Sequence, residues 1–196
     1  MQRIVVLASG SGSNLQAVID GCVNDVIDAD VVGVVSNRPD AYALTRAADA
    51  GIDAELVARQ DEEVRRQYDT RLARAVASFE PDWVVLAGWM RILTSEFLDR
   101  FAGRVINLHP ALPGELPGTH AIERAWDEAV AGERTASGVM VHLVPDEGVD
   151  DGPVLASQVV PVDASGTLDA FAAAVHDIEH QLLVATLAGL CAPDIS

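Results

Sequence analysis

Through its first half the chain alternates short, almost unbroken runs of Val, Ile and Leu with stretches whose apolar residues recur at helical spacing. That alternation constrains the fold more than any other feature. Arg3–Ala8, Val31–Val35, Ala54–Val57, Trp83–Ala87 and Arg104–Leu108 read as strands. Between them Asn14–Cys22, Ala41–Ala50 (stopped by Gly51), Glu62–Phe79 (charges on one face) and Ser95–Phe101 read as helices. Strands separated by helices of this length imply βαβ units and a parallel sheet. Strands that are apolar along their whole length are covered on both faces. The expected class is α/β: an open, mostly parallel twisted sheet with helices on both faces.

The second half departs from this rhythm. Pro110–Gly118 is a Pro/Gly-rich loop, and Ala121–Ala131 is helical. Val139–Val144 and Val154–Val160 read as strands joined across the acidic loop Asp146–Asp151, an arrangement suited to a long hairpin. Leu168–Leu190 is a long terminal helix, broken off by Pro193. With no internal repeat, low-complexity tract or linker, the chain reads as one continuous domain, and its length of 196 residues with 49% apolar content supports a real core.

Charge narrows the function. The formal net charge is −17, every one of the 13 basic residues is arginine, and the acids divide into 19 Asp and 11 Glu. Such a chain repels nucleic-acid backbones and anionic membranes, so no nucleic-acid or membrane partner is expected. An Asp-rich, Lys-free surface suits a salt-rich cytoplasm, where the Debye length falls to about 3 Å at 1 M; a GC-rich genome gives the same bias. Two cysteines, Cys22 and Cys191, make neither a disulfide framework nor a cysteine zinc site, and neither has an assigned role. A reducing cytoplasm is the simplest location. The N-terminus lacks the basic and long apolar regions of a signal peptide, and no apolar run reaches the roughly 18 residues of a membrane span.

Five segments carry chemistry-bearing residues. Ser9–Asn14, reading SGSGSN, joins the first strand to the first helix. Its glycines expose successive N–H groups at a helix N-terminus, an anion site suited to phosphate or simply a tight capped turn. Leu15 replaces the third glycine of a dinucleotide fingerprint, no acid ends the second strand, and no lysine exists for a Walker loop. Asn107-Leu108-His109-Pro110 ends the fifth strand, where alternation puts Asn107 and His109 on one face. An amide and a protonated imidazole there could clamp an oxyanion and donate a proton; a His satisfied by a loop carbonyl is the plain alternative. Asp146–Pro153 is either a solvated acidic turn or the source of a carboxylate over His109, raising the imidazole pKa by charge pairing. His176-Asp177-Ile178-Glu179-His180 matches an inverted zincin pattern, but Asp194 is the only acid after it. No metal is expected; His176 and Glu179, one turn apart, face a polar substrate or form a surface pair. Leu86–Leu93 opens a strand into a loop carrying Trp, Met and Arg, suited to an apolar pocket with a cation.

Taken together these segments closely resemble the phosphoribosylglycinamide formyltransferases, the folate-dependent family of purine synthesis. IVVLASGSGSNLQA, VVSNRPDA, AGWMRIL, VINLHPALP, PGTHAIERA, GVDDGPVLASQVVPV and IEHQLL match in order across essentially the whole chain. NLHP and DDGP mark the wider superfamily; GSGSN and AGWMRIL are more specific. The resemblance implies one Rossmann-like formyltransferase domain over residues 1–196, with 1–106 as the phosphate-binding half and 107–196 as the catalytic and folate half. It implies transfer of formyl from 10-formyltetrahydrofolate to the amine of glycinamide ribonucleotide, without metal. Asn107 and His109 would stabilise the tetrahedral intermediate, and Asp150 would support His109 and help relay the proton. Gly12, Ser13 and Asn14 would hold the phosphate, with His176 and Glu179 contacting the phosphate and the ribose or amine of that substrate. Arg65, Met90, Arg91, Leu93 and Val144 would line the folate site, the Asp146–Val149 loop walling the pterin.

The chain departs from the family in two places. Ala111-Leu112-Pro113-Gly114-Glu115 shifts the proline after NLHP. An extra residue, read as Pro145, lengthens the spacing after His142 and makes Asp151 a rival to Asp150; the Asp-x-Gly-Pro alignment favours Asp150. Within the superfamily, a formyltetrahydrofolate deformylase is the alternative activity, though that enzyme carries an N-terminal regulatory domain. Methionyl-tRNA formyltransferase uses a further C-terminal domain and basic surface. A non-catalytic nucleotide-binding module has no use for Asn107, His109 and Asp150 together. Homodimer formation is left open.

Overall fold

The computed structural model describes residues 1–193. Among these residues seven strands form one sheet in the order β3-β2-β1-β4-β5-β6-β7. β1 (Gln2–Leu7), β2 (Ala29–Ser36), β3 (Ala54–Leu56), β4 (Trp83–Leu86) and β5 (Val105–His109) are parallel. β6 (Ala136–Leu143) pairs antiparallel with β5, and β7 (Val154–Pro161) antiparallel with β6, the expected hairpin. The helices are α1 (Ser13–Val23), α2 (Tyr42–Asp49), α3 (Arg65–Ala77), α4 (Ser95–Leu98, followed by a 3-10 turn over Asp99–Phe101), α5 (Ala121–Val130) and α6 (Leu168–Leu190).

The alternation along each central strand divides the core into two layers. Ile4, Val6 and Ala8 face one way, into a cluster that also takes residues of α1, α2, α5 and α6. Val5 and Leu7 face the other way, against Tyr68, Leu72 and Val76 of α3 and Phe97 and Leu98 of α4. Both faces of the sheet are therefore dry, which is why these strands carry no polar alternation. None of the helices among the described residues is long and apolar enough to cross a membrane.

Two elements start three residues from their expected limits, the other starts lying within two. The helix expected over Glu62–Phe79 begins only at Arg65, because Glu62 takes a left-handed φ of 61° and Val64 is extended. The side chain of Glu63 accepts from the Gln60 N–H at 3.0 Å and from Arg71 at 2.8 Å, so this acidic segment forms a turn of its own. Nor are all charges of α3 outside: Asp69 is buried and accepts the Thr94 N–H at 2.7 Å. β6 begins at Ala136, three residues before the expected Val139, because Ala136, Ser137 and Gly138 pair with Pro161, Val160 and Val159 of β7.

Strand order reverses between β1 and β4, the switch point at which open α/β sheets form a crevice. The segments that follow β1, β4 and β5 all emerge there.

Candidate active site

The turn after β1 is fixed by Gly12, which has φ 70° and acts as the N-cap of α1. A Cβ at that position would stand 2.8 Å from Ala43 Cα, so the left-handed conformation and the close approach of α2 both require glycine. Carbonyl oxygens of the turn are already taken: Gly10 by the Ala43 N–H at 3.1 Å and Ser11 by the Arg46 guanidinium at 2.9 Å. The first N–H groups of α1, those of Ser13 and Asn14 included, have no intrahelical acceptor and remain available to an anion. Ser9 is not part of that donor set. It is buried, and its hydroxyl accepts the Met90 N–H at 3.0 Å, tying the turn to the segment after β4.

Asn107 and His109 stand on one face of β5, as alternation requires, and both reach Asp150. Asn107 Nδ2 donates to Asp150 Oδ1 at 2.9 Å, and His109 Nδ1 lies 3.3 Å from Asp150 Oδ2. Gly118 N–H donates to Asp150 Oδ2 at 2.8 Å. The other ring nitrogen of His109 faces the Leu116 carbonyl at 3.0 Å. Each partner of the imidazole is held in the left-handed region, Leu116 at φ 45° and Asp150 at φ 54°. Non-glycine residues keep such dihedrals only where surrounding contacts impose them, typically at a cost of roughly 1–3 kcal/mol. Asp151 makes none of these contacts; its carboxylate packs toward Gly148.

The electrostatics differ from the sequence expectation in one respect. Burial pushes the His109 imidazole below its ordinary value, and the Asp150 charge and Leu116 carbonyl only partly offset it. Asp150 therefore does not lift the imidazole above the ordinary histidine range. Burial also pushes the Asp150 carboxyl up, but the hydrogen bonds it accepts, that of the Gly118 N–H among them, and the His109 charge outweigh it, so the carboxyl titrates below its usual range. The resting pair is a carboxylate beside a ring that both its neighbours would welcome as a cation and that its dry surroundings hold neutral.

A cleft of about 740 Å³ opens above this triad. Arg65, Met90, Arg91, Leu93 and Val144 all line it, together with Asp146, Gly148 and Val149 of the acidic loop. Walls come from both halves of the chain. Arg65 donates to the Ile92 and Leu93 carbonyls and pairs with Glu147 at 3.5 Å, while Arg91 lies over the Tyr68 ring at 4.6 Å. The cleft therefore carries two cations and apolar walls above the polar triad.

His176 and Glu179 lie outside the lining of that cleft. They bond each other at 2.6 Å, and the hydrogen bond to Glu179 raises the His176 pKa despite partial burial. Glu179 is itself buried, and its charge reaches His109. His180 instead lines a cavity of about 280 Å³ with Ser13, Gln16, Asp20 and Arg46. Asp194 lies outside the described residues.

Sequence reasoning missed His142, the buried neighbour of the triad. Its Nε2 lies 3.1 Å from Asn107 Nδ2, and its Nδ1 lies 2.8 Å from the Leu143 carbonyl. Asn107 and His142 are directly opposed in the β5–β6 ladder. A lone polar residue inside the apolar run GVMVHL was the available signal.

Known proteins resemble this chain over nearly its whole length. The formyl transferase family model matches residues 2–187. A phosphoribosylglycinamide formyltransferase of Schizosaccharomyces pombe is 44% identical, covering 92% of this chain and 93% of that protein. The enzyme of the same name from Escherichia coli is 42% identical over 92% of this chain and 82% of its own length. Among solved structures, glycinamide ribonucleotide transformylase 1 from Symbiobacterium toebii superposes with a TM-score of 0.91 at 36% identity, covering 97% of this chain and 88% of that one. Its counterpart from Geobacillus kaustophilus gives 0.90 at 34% identity, over 98% and 100% of the two chains.

Proposed function

The chain belongs to the formyl transferase family, and on that premise we propose that it transfers the formyl group of 10-formyltetrahydrofolate to the amine of 5-phosphoribosylglycinamide, a step of purine biosynthesis. The observation that carries the reading is the convergence of Asn107, His109 and Asp150 on the floor of a cleft with two arginines at its mouth. Two small anionic molecules suit the site: a phosphate at the Gly12–Asn14 turn and a folate with its carboxylates toward Arg65 and Arg91.

The chemistry follows from the donors present. The neutral amine attacks the formyl carbon; the new C–N bond forms as the carbonyl π pair moves onto oxygen. An oxyanion at that point needs donors in a dry site. Asn107 supplies one. Its bond to Asp150 is charge-assisted, whereas the N–H on His142 faces a neutral ring nitrogen at 3.1 Å and is the cheaper one to redirect. His109 supplies the second donor when protonated, through Nδ1, whose 3.3 Å contact with Asp150 is the looser of the ring's two. The attacking nitrogen loses a proton, which Asp150 and His109 pass, directly or through water, to N10 of the folate as the C–N10 bond breaks. No nucleophilic Ser or Cys enters; Cys22 and Cys191 are thiols that burial holds near a pKa of about 11, far from a reactive thiolate. His176 and Glu179, which bond each other outside the cleft lining, are assigned to the nucleotide by the family resemblance alone.

Tetrahydrofolate release, followed by absorbance with and without glycinamide ribonucleotide, tests the proposal. Release only with the nucleotide supports it. Release without it makes the chain a deformylase, and no release in either case makes it a binder.

A further inference from the structure

His142 is the fourth polar side chain of the catalytic floor, and it is only 2% exposed. Its two ring nitrogens meet different chemistry. Nδ1 lies 2.8 Å from the carbonyl of Leu143, a group that can only accept, so Nδ1 carries the proton. Nε2 is then a bare acceptor in the neutral ring, and Asn107 Nδ2 stands 3.1 Å away as its donor. The nearest Asp150 oxygen is 3.6 Å from Nε2, beyond hydrogen-bond reach.

That arrangement decides which way the Asn107 amide faces. Asp150 Oδ1 and His142 Nε2 both require donors, and the amide NH₂ supplies one hydrogen to each. Turning the amide over would aim its oxygen at a carboxylate and at a ring lone pair together. Without His142, only one of the two bonds would resist that rotation. The backbone holds the pair in place: Asn107 and His142 are opposed in the antiparallel ladder, and an irregularity against β7 falls between Val141 and His142.

We propose that His142, as the neutral Nδ1-protonated tautomer, is a positioning residue that holds the Asn107 amide with its NH₂ toward the reacting centre, the N–H resting on Nε2 being the one that turns to the oxygen of the formyl group. It touches neither substrate; it acts through Asn107. The inference rests on the proposed transferase activity for its kinetic part only.

Two measurements test it. Nitrogen-15 NMR of the ring in the wild-type protein at neutral pH is expected to show a neutral His142 protonated at Nδ1. A ring protonated at Nε2, or at both nitrogens, overturns the proposal, and this readout needs no activity. In turnover assays His142→Leu is expected to lower kcat at least about 10-fold, a fraction of what loss of a whole oxyanion donor costs. KM for both substrates should stay within about 3-fold, since ground-state binding is not touched. His142→Gln offers an acceptor in the same place and should restore kcat to within about 3-fold of wild type. A Leu variant with wild-type kcat, or Gln and Leu variants equally impaired, overturns the proposal. If His142→Leu fails to fold, the Gln variant and the NMR tautomer decide. Wild-type protein that releases no tetrahydrofolate refutes the proposed function while leaving the tautomer result standing.

Discussion

Asp150 Oδ2 lies 3.3 Å from His109 Nδ1, and it is brought there from a loop between two antiparallel strands to the end of a parallel one. The same carboxylate takes donors from Asn107 and from the Gly118 N–H, so it is fully engaged before any ligand arrives. Its charge, not its shape, is what the His109 ring needs when it accepts a proton. Asp150→Asn keeps the shape and removes the charge. It should lower kcat at least about 10²-fold, as should His109→Ala, the lower range for a general acid–base group. Thermal midpoints of both should stay within about 5 °C of wild type. Near-normal turnover in either variant would remove that residue from the mechanism.

The two perturbed histidines give stability trends of opposite sign. His109 has a folded pKa below its unfolded value of 6.5, held there by burial. Its contribution is intact above 6.5 and lost as pH falls through the folded value. His176 has a folded pKa above 6.5, raised by its bond to Glu179. Its contribution is intact below 6.5 and lost as pH rises through the folded value. Urea midpoints of wild type, His109→Gln and His176→Gln at about pH 5.5 and about pH 8.5 separate these. Wild type should lose more on acidification than His109→Gln does. Its advantage over His176→Gln should be larger at the acid pH, by about 0.5 kcal/mol or less because His176 is half exposed. Parallel trends in both variants would contradict the assignment.

What the sequence made legible follows its periodicities. β1, β2, β4 and β5 announced themselves because strands covered on both faces are rich in Val, Ile and Leu, and the placement of Asn107 and His109 on one face followed from alternation alone. Asp150 was separable from Asp151 only through a motif match, since a loop has no periodicity to exploit. The partners of the triad were not legible. Leu116 and Gly118 act through backbone atoms, which no side-chain pattern encodes. His142 opposes Asn107 in a ladder whose register is hidden by the intervening loop and α5. The direction of the His109 shift was misjudged for a related reason: a nearby carboxylate can be guessed from sequence, whereas the degree of burial that overrides it cannot.

Gly12 ties the phosphate turn to the packing of α2. An alanine there must hold φ near 70° with its Cβ 2.8 Å from Ala43 Cα, a backbone atom that cannot rotate away. Gly12→Ala should therefore cost roughly 1–3 kcal/mol of stability. It should also raise KM for the phosphorylated substrate more than KM for the folate, because the N–H groups shift and the cleft walls do not. Equal effects on the two KM values would detach the turn from phosphate binding.

Salt dependence tests the surface. Arginines pair with Asp40, Glu63, Glu96, Glu115, Glu128 and Glu147 among the described residues. Most other acids have no basic partner to offset them, and the chain keeps a net −17. Repulsion among exposed carboxylates acts over a Debye length of about 10 Å at 0.1 M salt and about 3 Å at 1 M. It opposes the compact state, in which these charges are closest, more than the expanded unfolded chain. Screening should therefore stabilise the fold even though it weakens the arginine pairs, of which the exposed ones, such as Arg38–Asp40 and Arg66–Glu96, are individually worth little. The thermal midpoint should rise by at least about 3 °C between roughly 0.02 M and 1 M sodium chloride, the shift that about 1 kcal/mol makes in a chain of this size. A flat or falling midpoint would mean that the excess of Asp and Arg reflects base composition of the gene, with no adaptation of the protein to a salt-rich interior.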